Sequence, residues 1–120
     1  MTKLLPNDIR ERLLQNGRLR EQFQQGGKCE PDFFPVVKLF TAAGACTWLL
    51  TELDPETPDI AFGLCDLGMG FPELGSVSIS EIESVRDQLG LPIERDLHFD
   101  PKMTISEYAA EARRHGSIQA

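Results

Sequence analysis

Three consecutive stretches decide the fold: Cys46-Thr47-Trp48-Leu49-Leu50-Thr51-Glu52-Leu53, then Asp54-Pro55-Glu56-Thr57-Pro58, then Ile60-Ala61-Phe62-Gly63-Leu64-Cys65. In the last of these, Ile60, Phe62 and Leu64 alternate with Ala61, Gly63 and Cys65, the period of a strand with its larger apolar side chains on one face. The middle stretch, with two prolines, forces a turn. Upstream, Val36 to Phe40 shares the β-branched and aromatic character of Cys46 to Leu53. Thr41-Ala42-Ala43-Gly44 separates them, which predicts a hairpin. Downstream, Gly68-Met69-Gly70-Phe71-Pro72 breaks the chain, and Leu74 to Ile79 supplies a fourth strand.

Helical periodicity flanks these strands. Leu5, Ile9 and Leu13 recur at four-residue spacing after Pro6-Asn7-Asp8, which predicts an amphipathic helix stopping at Asn16-Gly17, with a further turn or two over Arg18 to Gln25 before Gly26-Gly27. Lys28 to Pro35 reads as a loop. Ser80 followed by Glu83 has the capping-box pattern; Ile82, Val85 and Leu89 share a face, and Gly90 with Pro92 ends a helix expected near 80–89. Ile93 to Phe99 alternates like a last strand or extended edge. Thr104 or Ser106 opens a C-terminal helix with an apolar stripe of Ile105, Tyr108, Ala109 and Ala112, and Arg113, Arg114 and His115 complement its dipole. The expected class is α+β: one domain over residues 1–120, with a mostly antiparallel sheet of about four to five strands and these three helices.

With 120 residues, 41% of them hydrophobic, the chain has enough apolar material for a core and is too apolar to be disordered. The longest nearly apolar stretch, Ala42 to Leu50, falls well short of the roughly 20 residues of a membrane span. Pro6-Asn7-Asp8 ends the run begun by Leu4 and Leu5, so no signal-peptide core forms and the expected location is cytoplasmic. Cys29, Cys46 and Cys65 contain no Cys-x-x-Cys pair, which fits reduced thiols rather than a disulfide framework or a structural zinc site.

The net charge of −7 is unevenly spread. Residues 1–50 carry seven basic and five acidic side chains, whereas Glu52 to Asp100 holds twelve carboxylates against Arg86 and Arg95, a net of −10. That segment repels a phosphate backbone, so direct nucleic-acid binding is not expected through it. Glu52 and Asp54, two apart near a strand end, can share a face, with Asp59 and Asp66 bracketing the neighbouring strand; clustered carboxylates can hold Mg²⁺ or Ca²⁺, although no ordered ligand spacing is present. A solvated sheet rim is the simpler account. Pro58-Asp59 with Asp100-Pro101-Lys102 resembles a nuclease pattern only superficially, since Asp-Pro-Lys is a turn. Cys65 with His98 and Asp66 or Asp96 could form a nucleophile and base, but a free Cys on a strand is usually a small core hydrophobe. The glycines Gly63, Gly68, Gly70 and Gly75 match no phosphate loop. Trp48, Phe40, Phe62 and Phe71 alternate as core residues do rather than forming a stacking platform.

The motifs Thr47-Trp48-Leu49-Leu50-Thr51-Glu52-Leu53-Asp54-Pro55, Phe62-Gly63-Leu64-Cys65-Asp66-Leu67-Gly68, Pro72-Glu73-Leu74-Gly75 and Leu89-Gly90-Leu91-Pro92-Ile93-Glu94-Arg95-Asp96-Leu97 occur in this order. Together they resemble a small bacterial family known only as a domain of unknown function. The resemblance spans nearly the whole chain and implies an accessory protein of plasmids, conjugative elements or phages, with no catalytic residue or cofactor to carry over. It singles out the polar motif residues Glu52, Asp54, Asp66, Glu73, Glu94, Arg95 and Asp96 as candidate partner-binding positions. Internal structure is the competing account: Arg95 pairing with Glu52 or Asp66, and Glu73 capping a turn.

The functional expectation is a non-enzymatic protein-interaction domain whose acidic face meets a basic protein surface. A sharper version has carboxylates imitating DNA phosphates in anti-restriction or anti-CRISPR action. The alternative is a metal-dependent hydrolase of nucleic acid or nucleotides centred on Glu52, Asp54 and Asp66.

Overall fold

In the computed structural model, which describes residues 4–27 and 29–120, the alternating stretches form one antiparallel sheet. The strands are β1 (Val37–Phe40), β2 (Thr47–Leu53), β3 (Ile60–Asp66), β4 (Glu73–Ser78) and β5 (Glu94–Arg95), in the spatial order β4-β3-β2-β1-β5. Three helices, α1 (Asn7–Gln25), α2 (Ile79–Ser84) and α3 (Ile105–His115), complete the described elements. The architecture is α+β, as the sequence predicts. Lys3 and Lys28, counted among the basic residues above, lie outside the described residues. Among the described residues no helix is long and apolar enough to cross a membrane.

Both faces of the sheet are covered, and this explains why β2 is buried without a break from Trp48 to Leu53. On one face Leu5, just before α1, and Leu13 within it, with Ile79 and Ile82 from α2, pack on Val37, Leu39, Trp48, Leu50, Leu53 and Ala61. On the other, the predicted stripe Ile105, Tyr108, Ala109 and Ala112 of α3 packs on Leu49 and Leu64. A bulge between Leu50 and Glu52 breaks the β2–β3 register, so that Glu52 pairs with Phe62 and Leu53 with Ala61. The extra residue, Thr51, is fully buried; its carbonyl accepts from Asn16 Nδ2 at 2.9 Å, and its hydroxyl donates to the Phe62 carbonyl at 3.2 Å.

Four boundaries differ from the sequence reading. Helix α1 does not stop at Asn16-Gly17 but runs through to Gln25, because Gly17 is the point where the helix crosses β2: a Cβ there would lie 1.9 Å from the Leu53 carbonyl oxygen. This glycine serves close approach rather than termination. Helix α2 is capped by Ser78, whose hydroxyl accepts from the Glu81 amide at 3.2 Å, not by Ser80, which instead donates to Asp59. It ends at Ser84, and Val85 turns extended. Asp87 then fastens the following loop to the β1–β2 turn by accepting from the Ala43 amide at 2.9 Å. Of Ile93 to Phe99 only Glu94–Arg95 is strand, paired with Leu39 and Phe40. Helix α3 starts as expected, with Thr104 and Glu107 forming a capping box.

Candidate functional site

The carboxylates that the motifs single out do not share one place. Glu73 lies on β4 and Glu94 on β5, at opposite edges of a five-stranded sheet and so about 19 Å apart at the usual strand spacing. Glu52 and Asp66 stand at opposite ends of the β2–β3 ladder, since Glu52 pairs with Phe62, four residues or about 13 Å along β3 from Asp66. Arg95 pairs with neither; its Nη1 donates to the Leu4 carbonyl at 3.2 Å. Asp66 is buried and accepts the amides of Gly68 at 2.8 Å and Ile118 at 3.0 Å, tying down its own loop and the segment after α3. Asp96 accepts from the His98 amide at 2.9 Å and lies 3.7 Å from Lys38 Nζ. Glu73 and Glu94 are exposed. Cys65, half-buried on β3, and His98, exposed beyond β5, form no pair.

Glu52 and Asp54 do come together, as their two-residue spacing predicts, along a cleft of about 360 Å³ between the second half of α1, the β2–β3 turn and the lower end of β3. The bulge at Thr51 sets this arrangement, because it turns Glu52 onto the same face as Phe62. Arg20, about one and a half turns before the end of α1, reaches back across the cleft. Its Nε donates to Glu52 Oε2 at 2.5 Å, its Nη1 to Glu30 Oε2 at 2.5 Å, and Gln24 Nε2 donates to Glu30 Oε1 at 2.6 Å. The guanidinium also stacks at 5.4 Å from the Phe62 ring centroid and 5.8 Å from that of Phe33. Both contacts lie within cation–π range. Glu52 is 5% exposed, so its charge is balanced inside the protein by Arg20, and the Thr51 hydroxyl donates a hydrogen bond to its Oε1 at 3.1 Å.

The rest of the rim is acidic and open. Among the described residues Glu21, Glu30, Glu52, Asp54 and Glu56 line the cleft against Arg20, five carboxylates to one cation, a net of −4. Glu21, Asp54 and Glu56 meet no Lys or Arg side chain among the described residues; Asp54 accepts only the Glu56 amide, at 2.9 Å, in a local turn. Arg20, Glu21, Glu30 and Glu56 were not among the candidates from sequence. Only the fold brings Arg20 and Glu30 to Glu52, and no spacing signals it. Among the described residues no three His, Cys, Asp or Glu side chains are placed to hold a metal ion, and Asp66 lies far from Glu52 and Asp54.

A family model described as "Protein of unknown function (DUF2958)" matches residues 4–119. No curated protein and no solved structure matches the chain. The motifs that carry the resemblance fall on β2 and its turn, on β3, at the start of β4, and on the loop leading into β5.

Proposed function

The chain belongs to that family, and we propose that it is a non-enzymatic interaction protein whose acidic cleft binds a basic segment of a partner protein in the cytoplasm. The accessory role on a mobile genetic element rests on the family resemblance. The observation that carries the binding role is the cleft itself. Among the described residues five carboxylates converge on a cleft of about 360 Å³, Arg20 is the cation lining it and is already committed to Glu52 and Glu30, and Asp54 and Glu56 are exposed to an incoming charge. A concave site with one sign of charge focuses potential and favours an oppositely charged ligand. The scale suits a few Lys or Arg side chains. DNA mimicry asks instead for carboxylates arrayed along one face, and the motif acids are divided between the two sheet edges and the two ends of the ladder. Likewise, a metal-dependent hydrolase would need Glu52, Asp54 and Asp66 together.

The test is fluorescence anisotropy with a labelled lysine-rich peptide, comparing the native chain with the variant Glu21→Gln, Asp54→Asn, Glu56→Gln. These are rim positions at which each charge contributes up to about 1 kcal/mol, so affinity should fall about tenfold or more while the melting temperature holds. Binding should also weaken steeply with salt. Equal affinity of the two proteins, or no binding by the native chain at low salt, sinks the reading.

A further inference from the structure

Strand β4 is the longer of the two edges of the sheet, and it is open. Its six residues pair with β3 on one side only, and in an antiparallel ladder every second residue then turns its N–H and C=O outward. The usual protections of an edge are missing between Leu74 and Ser78: there is no Lys, no Pro and no bulge, and nothing lies within 4 Å of a Cβ placed on Gly75. Such an edge recognises one chemistry, another extended backbone.

A cavity opens beside β4 on each face, and their linings differ. On one face Ser76, opposite Phe62, borders the acidic cleft. On the other, a groove of about 400 Å³ between β4 and α2 is lined by Val77, Ile82, Val85 and Trp48, with Glu81 and Ser78 at its polar side and Ile60 and Ser76 shared with the cleft. A strand laid on the edge would direct alternate side chains to these two faces. We propose that β4 binds its partner by strand addition, and that the partner segment is extended, with Lys or Arg alternating with aliphatic residues. The basic set faces the carboxylates of the cleft; the aliphatic set enters the groove. The proposal rests on the cleft reading above for the charged set, whereas the edge and the groove are independent of it.

The probe is an acetylated, amidated octapeptide of alternating Lys and Val, with two analogues, one N-methylated at every Lys and the other at every Val. Only one of these two sets of amides faces β4, so one analogue should bind about tenfold or more weaker than the other. The amides of β4 should gain protection from hydrogen exchange when the parent peptide binds. Two analogues of equal affinity, with β4 unprotected, would overturn strand addition while leaving the cleft as a purely electrostatic site. If the parent peptide fails to bind, both proposals fall. A chain that sediments as a dimer, with β4 already protected in the absence of peptide, would show the edge closed by a second copy and also overturn the proposal.

Discussion

Arg20 and Glu52, 32 positions apart, meet at 2.5 Å between Nε and Oε2, and this pair joins the second half of α1 to the end of β2. With side chains only 17% and 7% exposed, it is a largely buried ion pair. Removing one member strands the other. Arg20→Met should cost about 3 kcal/mol in urea denaturation, because Glu52 keeps only the Thr51 hydroxyl. The double variant Arg20→Met, Glu52→Leu should recover much of that loss, since no charge is then left desolvated. A double variant as unstable as the sum of the two single ones would contradict this account.

Gly17→Ala should destabilise the protein, against the sign that helix propensity gives. Alanine gains about 1 kcal/mol in a helix interior. The new methyl, however, would stand 1.9 Å from the Leu53 carbonyl oxygen, so α1 must move off β2 at a net cost of about 3 kcal/mol. Gly63→Ala, 2.0 Å from the Leu49 carbonyl oxygen, should behave alike. Gly75→Ala meets nothing within 4 Å and should stay within about 0.5 kcal/mol of the native chain.

Acid stability should depend on three aspartates that fasten loops. Hydrogen bonds from the hydroxyls of Ser78 and Ser80 and from the Ser80 amide hold Asp59 below the ordinary 3.8. Burial pushes Asp87 up, but the amides of Leu91, Ala43 and Leu89 outweigh it; for Asp32, burial is likewise outweighed by Ser106 and Thr104. Each carboxyl is more acidic folded than unfolded, so its stabilisation is present above the unfolded value and lost as pH falls through the folded one. These groups should therefore leave stability level from pH 7 to 5 and withdraw it below about pH 4. Asp59→Asn should flatten that acid limb in a pH series of thermal melts; an unchanged limb would count against the role.

Thiol reactivity should be sharply graded. Cys29 is exposed. Burial pushes the Cys65 thiol up to about 11, and burial together with the nearby Asp66 charge raises that of Cys46. A disulfide-exchange reagent at pH 8 should find one fast thiol and two slow ones in the folded chain, and three fast ones in denaturant. Cys29→Ser should abolish the fast phase.

The sheet was legible because β1 to β4 carry their alternation locally, and α3 because its apolar stripe is local too. Misreadings arose where tertiary contact overrode a local signal. Gly17 looks like a helix stop until the Leu53 carbonyl is seen against it. Ser80 looks like a cap, but Asp59, 21 positions away, takes its hydroxyl and amide and leaves Ser78 to cap α2. Leu89 shares a helical face with Ile82 on paper; Asp87 draws that segment to Ala43 instead. In the site, Glu52 and Asp54 were legible from their spacing. Arg20 was not, because a cation 32 residues upstream leaves no periodic trace.

The bulge at Thr51 bears on the chain's tolerance to changes of length. Elsewhere in β2 the loss of one residue would exchange the two faces of everything beyond it, sending core side chains to solvent. At Thr51 the opposite holds: Leu50 already opposes Gly63 and Glu52 already opposes Phe62, so excising Thr51 alone would yield an unbroken ladder with every side chain on its present face. Natural relatives one residue shorter in this strand can therefore be aligned with the gap at position 51. In such a relative the helix would have to find another partner for Asn16, which here rests on the inserted carbonyl.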